Sequence, residues 1–209
     1  MTTSQSIDAI EMAQQRRRPL EDTPHTRAYV DMLAEVAAFH DVLVKANPNP
    51  EQLEHLTASL TELRTMLAGE TVGEHERWYA RGEMGGAHTQ VLMPPLIIDD
   101  VDDQELHAHT VVGDYFTGLN QAVHGGVVSV LFDTAMGRLA MGKKLRVCRT
   151  AYLTTQYRNV TPLGERLELR ATVDSSEGRK RFISAQLWHQ DTLCAEADAL
   201  FVEVRQGAQ

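Results

Sequence analysis

The sequence predicts an α+β fold in which a curved antiparallel β-sheet wraps around one central helix, preceded by a helical extension. Three observations carry this. From Gly126 to Met141 the apolar residues occupy most of a helical circumference, so that helix must be enclosed. Before and after it, residues alternate with a period of two, most clearly in Leu167, Leu169, Ala171 and Val173, as strands with one buried face do. The later strands are joined by short turns, Thr161-Pro162-Leu163-Gly164 and Glu177-Gly178, which suit antiparallel neighbours and not the long crossovers of a parallel sheet.

The elements follow in order. Residues 1–23 are polar and aperiodic and read as a disordered lead. From Pro24 to Lys45, Tyr29, Met32, Leu33, Val36, Phe39, Leu43 and Val44 form a stripe at helical spacing. Asn47-Pro48-Asn49-Pro50 breaks that helix, because each proline disfavours helix in the residue before it. Leu53, Leu56, Leu60, Leu63, Met66 and Leu67 mark a second helix, so residues 24–68 form a helical hairpin, followed by a linker over 69–81. The sheet domain spans 82–205. It opens with Gly82, Gly85 and Gly86 and with strands at Gln90–Ile98 and Glu105–Val112, the acidic run Asp99–Asp103 being their exposed turn. After the central helix come strands at Thr150–Tyr157, Arg166–Asp174, Arg181–His189 and Ala195–Val204.

With 43% hydrophobic and 23% charged residues the chain is an ordinary globular protein, and its formal charge of −9 disfavours nonspecific binding to nucleic acid or anionic lipid. A helical hairpin ahead of a ligand-binding domain also suits a DNA-reading module. Residues 1–80, however, carry 13 acidic and 7 basic side chains, and neither helix has a basic face for phosphates, so no nucleic-acid partner is expected. No apolar run is long enough to span a bilayer, the N-terminus does not read as a secretory signal, and cytoplasmic location is the simplest expectation. Cys148 and Cys194 form no metal-ligand pair, His88, His107, His109 and His189 make no metal motif, and no metal or separate cofactor is expected.

The chemistry concentrates in His124-Gly125-Gly126 and Asp133. The glycines let a ligand approach the start of the central helix, whose first N–H groups lack intrahelical acceptors and can stabilise negative charge on an oxygen. That suits the carbonyl of a thioester under attack by water or a carboxylate. Asp133, about two turns further on, is the only acid in this apolar run. If buried it needs polar partners, which points to a pocket; otherwise it emerges on the helix surface or in a dimer interface. Arg179, Lys180 and Arg181 put three cations at a predicted hairpin, either to hold phosphates or as a solvated turn, and Arg158 near a strand end is a second candidate.

These segments resemble, in order, those of the phenylacetate-type branch of the hotdog-fold acyl-coenzyme A thioesterase superfamily. They are His124-Gly125-Gly126 with Asp133, then Tyr157-Arg158-Asn159-Val160-Thr161-Pro162, then Gly178-Arg179-Lys180. The similarity covers roughly residues 82–205 and leaves the N-terminal helices unexplained. It implies hydrolysis of acyl-coenzyme A, with Asp133 as nucleophile or general base and Gly125 and Gly126 at the oxyanion site. His124 is expected to position the loop, and Arg179, Lys180, Arg181 and Arg158 to contact coenzyme A, which is part of the substrate. It also implies a homodimer with active sites between subunits, up to a dimer of dimers. Many relatives have Asn six residues before the motif His; here Gly118 stands there, and Asn120 is out of phase. The N-terminally extended, longer-chain-preferring members also lack that Asn and have a Thr after the helix, where this chain has Thr150. Thr150 is then either a hydroxyl that orients water or Asp133, or a structural one. Two other activities share the fold, non-catalytic acyl-thioester binding in a regulatory protein and hydration or dehydration of the acyl chain. The second lacks a paired Asp and His segment in this sequence.

Overall fold

A computed structural model describes residues 20–73, 76–78, 93–144 and 146–204. Among the described residues, the α-helices α1 (Pro24–Leu43), α2 (Pro50–Leu67) and α3 (Gly125–Met141) accompany six strands. The strands are β1 (Ile97–Val101), β2 (Glu105–Val111), β3 (Cys148–Tyr157), β4 (Arg166–Glu177), β5 (Lys180–His189) and β6 (Thr192–Glu203). They form one sheet in the order β1-β2-β4-β5-β6-β3, every neighbouring pair antiparallel, with α3 packed against it. The expected α+β hotdog-type fold is the one observed.

Alternation on the strands creates the bed for α3. Leu167, Leu169, Ala171 and Val173 on β4, Ile183, Ala185 and Leu187 on β5, and Ala195, Ala197, Ala199 and Phe201 on β6 are buried beneath it. The alanines allow close approach, while Val128, Leu131, Phe132, Ala135, Met136, Leu139 and Ala140 fill the space from above. Within α3 only Gly126 and Asp133 are exposed, on one flank, and its other residues are buried or half-buried.

The acidic run also divides differently than expected. Asp99, Asp100 and Val101 belong to β1, and the turn begins at Asp102, whose Oδ1 accepts the N–H groups of Gln104 and Glu105 at 2.7 Å each. Those two bonds hold the Asp102 carboxyl below its usual range. Asp99 is instead held at 2.8 Å by His109 Nδ1 across the β1–β2 pair. The expected first strand began at Gln90; residues 90–92 lie outside the described residues, as do 1–19 of the lead and the start of the sheet domain at 82.

Pro24 and Pro50 each occupy the first turn of their helix, where a missing N–H costs nothing. Thr23 with Thr26 and Asn49 with Gln52 close capping boxes in front of them. The C-terminal end of α1 docks on the 3-10 turn Asp114–Phe116. There Asp41 Oδ1 accepts Tyr115 N–H at 2.7 Å, Lys45 pairs with Asp114, and His40 stacks on Tyr115 with ring centroids 4.4 Å apart. Gly113 makes room for this contact, since a Cβ there would lie 2.6 Å from the Asp41 carboxylate. At the other end of α1, Tyr29 stacks on Trp78 at 4.0 Å. By contrast α2 buries no residue, and its leucines at 53, 60, 63 and 67 are exposed.

Candidate active site

The N–H of His124 donates to Phe116 O at 2.9 Å, and that of Val123 to Thr161 O at 2.9 Å, so two loops fix the entry into α3. His124 is the N-cap, its Nδ1 accepting the Gly126 N–H at 3.1 Å. The amide expected to hold an oxyanion is therefore covered by the imidazole, and a substrate oxygen has to displace the ring to reach it. A neutral His124 with its proton on Nε2 is the form that can accept this bond.

Both motif glycines have a geometric reason. A Cβ on Gly126 would stand 3.2 Å from His124 Nδ1, and one on Gly125 would stand 3.1 Å from the Tyr157 hydroxyl. Gly125 therefore makes room for a protein side chain, where the sequence suggested room for substrate. Gly118 is also tightly placed: a Cβ would come within 3.1 Å of His124 Cα, so the loop would have to shift for a side chain such as the expected Asn. Asn120 sits exposed in left-handed backbone, φ 57°, ψ 35°, one residue after the exposed Leu119.

Asp133 meets Thr150, whose hydroxyl donates to Asp133 Oδ1 at 2.8 Å. A bulge in β3 makes this possible. Strand β3 pairs with β6 through Tyr157↔Ala195, Thr155↔Ala197 and Leu153↔Ala199, all on the face that carries α3. One extra residue between Thr150 and Tyr152 then returns Thr150 to that face opposite Phe201. Sequence alternation alone puts Thr150 on the opposite face from Leu153.

A hydroxyl cluster without an expected role lies at the start of α3. Ser129 Oγ is 3.0 Å from Thr155 Oγ1 and 3.2 Å from the Tyr157 hydroxyl, and Tyr157 donates to Gly125 O at 2.8 Å. The available sequence signal was modest: Ser129 is four residues before Asp133, hence on its face, and Thr155 and Tyr157 share one face of β3.

The basic hairpin splits. Arg181 falls in the core-facing phase of β5, with Ile183 and Ala185, and is only 7% exposed. Its Nη1 donates to Leu139 O at 3.1 Å and Ala140 O at 3.0 Å, and its Nη2 to Asp103 O. It caps the C-terminal end of α3, so its guanidinium is turned inward, where the sequence suggested a coenzyme A contact. Burial and the neighbouring Arg146 push its guanidinium downward from the usual arginine range. Arg179 and Lys180 remain exposed on the turn made by Gly178 at φ +59°, Arg179 also donating to Glu203 O at 2.7 Å. Arg158 is engaged with Glu196, its Nε 2.9 Å from Oε1.

No group of three or more His, Cys, Asp or Glu side chains placed to hold a metal occurs among the described residues, and His88 lies outside them. Burial and the nearby Glu203 raise the Cys148 thiol to about 11, and burial raises Cys194 as well. Both cysteines are therefore thiols at neutral pH, and the folded protein is expected to react with a disulfide thiol reagent far more slowly than the denatured protein. Stoichiometric labelling of native protein at the denatured rate would contradict this placement.

Residues 120–196 match the model of the thioesterase superfamily. The bovine acyl-coenzyme A thioesterase THEM4 is 31% identical over 94 residues, 44% of this chain and 38% of the relative. The Xenopus laevis THEM4 is 35% identical over 97 residues, 44% and 42%. The chain thus spans about two fifths of the length of these relatives. In structure, a crystallised thioesterase superfamily protein superposes with a TM-score of 0.72 at 23% identity, covering 90% of this chain and 95% of its own, and so shares the fold including the N-terminal region. Zebrafish thioesterase superfamily member 2 superposes at 0.50 with 15% identity, over 68% of this chain and 92% of its own. With its antiparallel six-stranded sheet packed on α3, this chain has the hotdog-type fold, and over residues 120–196 it is similar to the thioesterase superfamily.

Proposed function

We propose that the protein hydrolyses acyl-coenzyme A thioesters to carboxylic acid and coenzyme A, with Asp133 as the reacting carboxylate. The observation that carries this is the Thr150–Asp133 bond of 2.8 Å on the exposed flank of α3. The one acid of an apolar helix is oriented by a hydroxyl and left open on its other side, as a base or nucleophile has to be. Asp133 either takes a proton from the attacking water or adds to the carbonyl to give an anhydride that water then opens. In both routes the carbon–sulfur bond breaks, and the departing sulfur is protonated to coenzyme A. Gly126 N–H is the proposed oxyanion donor, exchanging His124 Nδ1 for the substrate oxygen.

Helix geometry supports a site shared between two subunits. Gly126 and Asp133 are seven residues apart on α3, about 10 Å along the axis, and first-turn N–H groups point out of the helix start, away from Asp133. A carbonyl bound at Gly126 of one protomer is better matched to Asp133 of a second. Strand β3 is the sheet edge on that side, and its unpaired backbone is a ready surface for a second copy. Homodimerisation through this edge, with a further pairing of dimers, is the proposed assembly. Arg179 and Lys180 are the proposed contacts for coenzyme A phosphates. Arg158 would first have to leave Glu196. No helix among the described residues is long and apolar enough to cross a membrane. The N-terminal extension, Gly118 and Thr150 support a preference for longer acyl chains.

The test is a purified-protein assay across short, medium, long and aromatic acyl-coenzyme A substrates, measuring free thiol and carboxylic acid together. Equal release of both, strongest for longer chains, is the expected result. Tight binding with release of neither favours the regulatory reading, and consumption of substrate without thiol release favours hydration. Light scattering during chromatography is expected to give at least twice the protomer mass; a monomer at working concentrations would remove the shared site.

A further inference from the structure

We infer that Tyr157 is a positioning residue for the oxyanion donor, an inference that rests on the proposed role of Gly126. A single peptide unit carries both Gly125 C=O and Gly126 N–H, and it is planar. Tyr157 donates to Gly125 O at 2.8 Å, so its hydroxyl sets the direction in which the Gly126 N–H points. Drawing electron density toward that carbonyl also makes the same amide a better hydrogen-bond donor. The bond is not needed to satisfy the carbonyl, which as a first-turn residue already has an intrahelical partner.

The phenol is itself held. Ser129 Oγ lies 3.2 Å from it and 3.0 Å from Thr155 Oγ1. One consistent run of donors goes from Thr155 to Ser129 to Tyr157 to Gly125 O, in which Ser129 and Tyr157 each give and receive one bond. The bed for the ring is Gly125, where a Cβ would come within 3.2 Å of the ring carbon that bears the hydroxyl. At its other end the same peptide is held by His124 Nδ1, 3.1 Å from Gly126 N. When a carbonyl oxygen displaces the imidazole, Tyr157 is the contact that keeps the amide aimed. Tyr157 is 54% exposed in the protomer, on the same β3 edge as the proposed dimer surface, where a partner would shield the bond from water.

The experiment compares the full chain with Tyr157→Phe, Tyr157→Ala and Ser129→Ala in acyl-coenzyme A hydrolysis. It also records the Gly126 amide resonance in 15N–1H spectra. Removing an oxyanion donor outright costs about 10²–10³ in kcat, so loosening its aim in Y157F is expected to lower kcat about tenfold with KM within about twofold. The Gly126 resonance is expected to move in step. S129A keeps the ring in place and is expected to give a smaller loss in the same direction, and it carries the test if Y157F does not fold. Full kcat and an unmoved Gly126 resonance in Y157F overturn the inference, as does a loss confined to Y157A, which assigns Tyr157 to ring packing alone. If the wild-type protein releases no coenzyme A, hydrolysis is what fails. The Gly126 resonance in Y157F then decides the role of Tyr157 by itself.

Discussion

Asp133→Asn is expected to reduce kcat for acyl-coenzyme A hydrolysis by about 10²–10⁴-fold while leaving the fold intact. The substitution keeps the size of the side chain and its acceptor toward Thr150, which donates to Oδ1 at 2.8 Å. It removes the negative charge that either abstracts a proton or attacks the thioester carbon. Because Asp133 stands on the exposed flank of α3, the substitution disturbs no packing, and a change in melting temperature of more than a few degrees is not expected. Thr150→Val provides the companion measurement. It removes the bond but not the carboxylate, so its loss in kcat is expected to be smaller than that of D133N. A folded D133N protein that hydrolyses at the wild-type rate would remove Asp133 from the chemistry and move attention to the binding of acyl-thioesters without turnover.

The largest expected effect on stability comes from Arg181→Met. Methionine retains the length and apolar stem but leaves Leu139 O, Ala140 O and Asp103 O without the guanidinium that joins them. Hydrogen bonds to a charged donor contribute more than neutral ones, and carbonyls stranded in a buried place carry their desolvation cost. The expected loss is about 3 kcal/mol, seen as a lower urea midpoint at unchanged slope. Gly142 adjoins the same cap, at φ +59° with room for no Cβ, since one would lie 2.6 Å from Asp103 Oδ1 and 3.1 Å from Arg181 Nη1. A loss in R181M below about 0.5 kcal/mol, the range of ordinary surface substitutions, would mean that water replaces the guanidinium at no cost. That result would return Arg181 to consideration as a ligand contact.

The fates of Arg181 and Thr150 show where sequence reading stops. Three adjacent cations at a turn look alike in one dimension, but β5 alternates, and the third shares the phase of Ile183 and Ala185. Arg181 was thus readable as core-facing, provided phase was weighed above charge. Thr150 could not be read in this way. Its meeting with Asp133 depends on the register shift between Thr150 and Tyr152, and an extra residue in a strand leaves no mark in hydrophobic alternation. The same limit applied to the acidic run at 99–103, where a polar composition suggested turn throughout but Asp99 joins β1 and pairs with His109.

By itself the sequence determined the kind of architecture, the order of its elements and the segment around which chemistry could gather. Periods of 3.6 and 2.0 follow from backbone geometry, and the need to bury apolar faces leaves few ways to combine one apolar helix with several alternating strands. Only the tertiary structure decided which functional candidates meet. It brought Thr150 to Asp133 by a bulge, placed His124 over the Gly126 amide, set Tyr157 against Gly125, and buried Arg181 under the end of α3. These contacts join residues from separate segments or turn on single torsions, so their energies arise only once the sheet has closed on the helix.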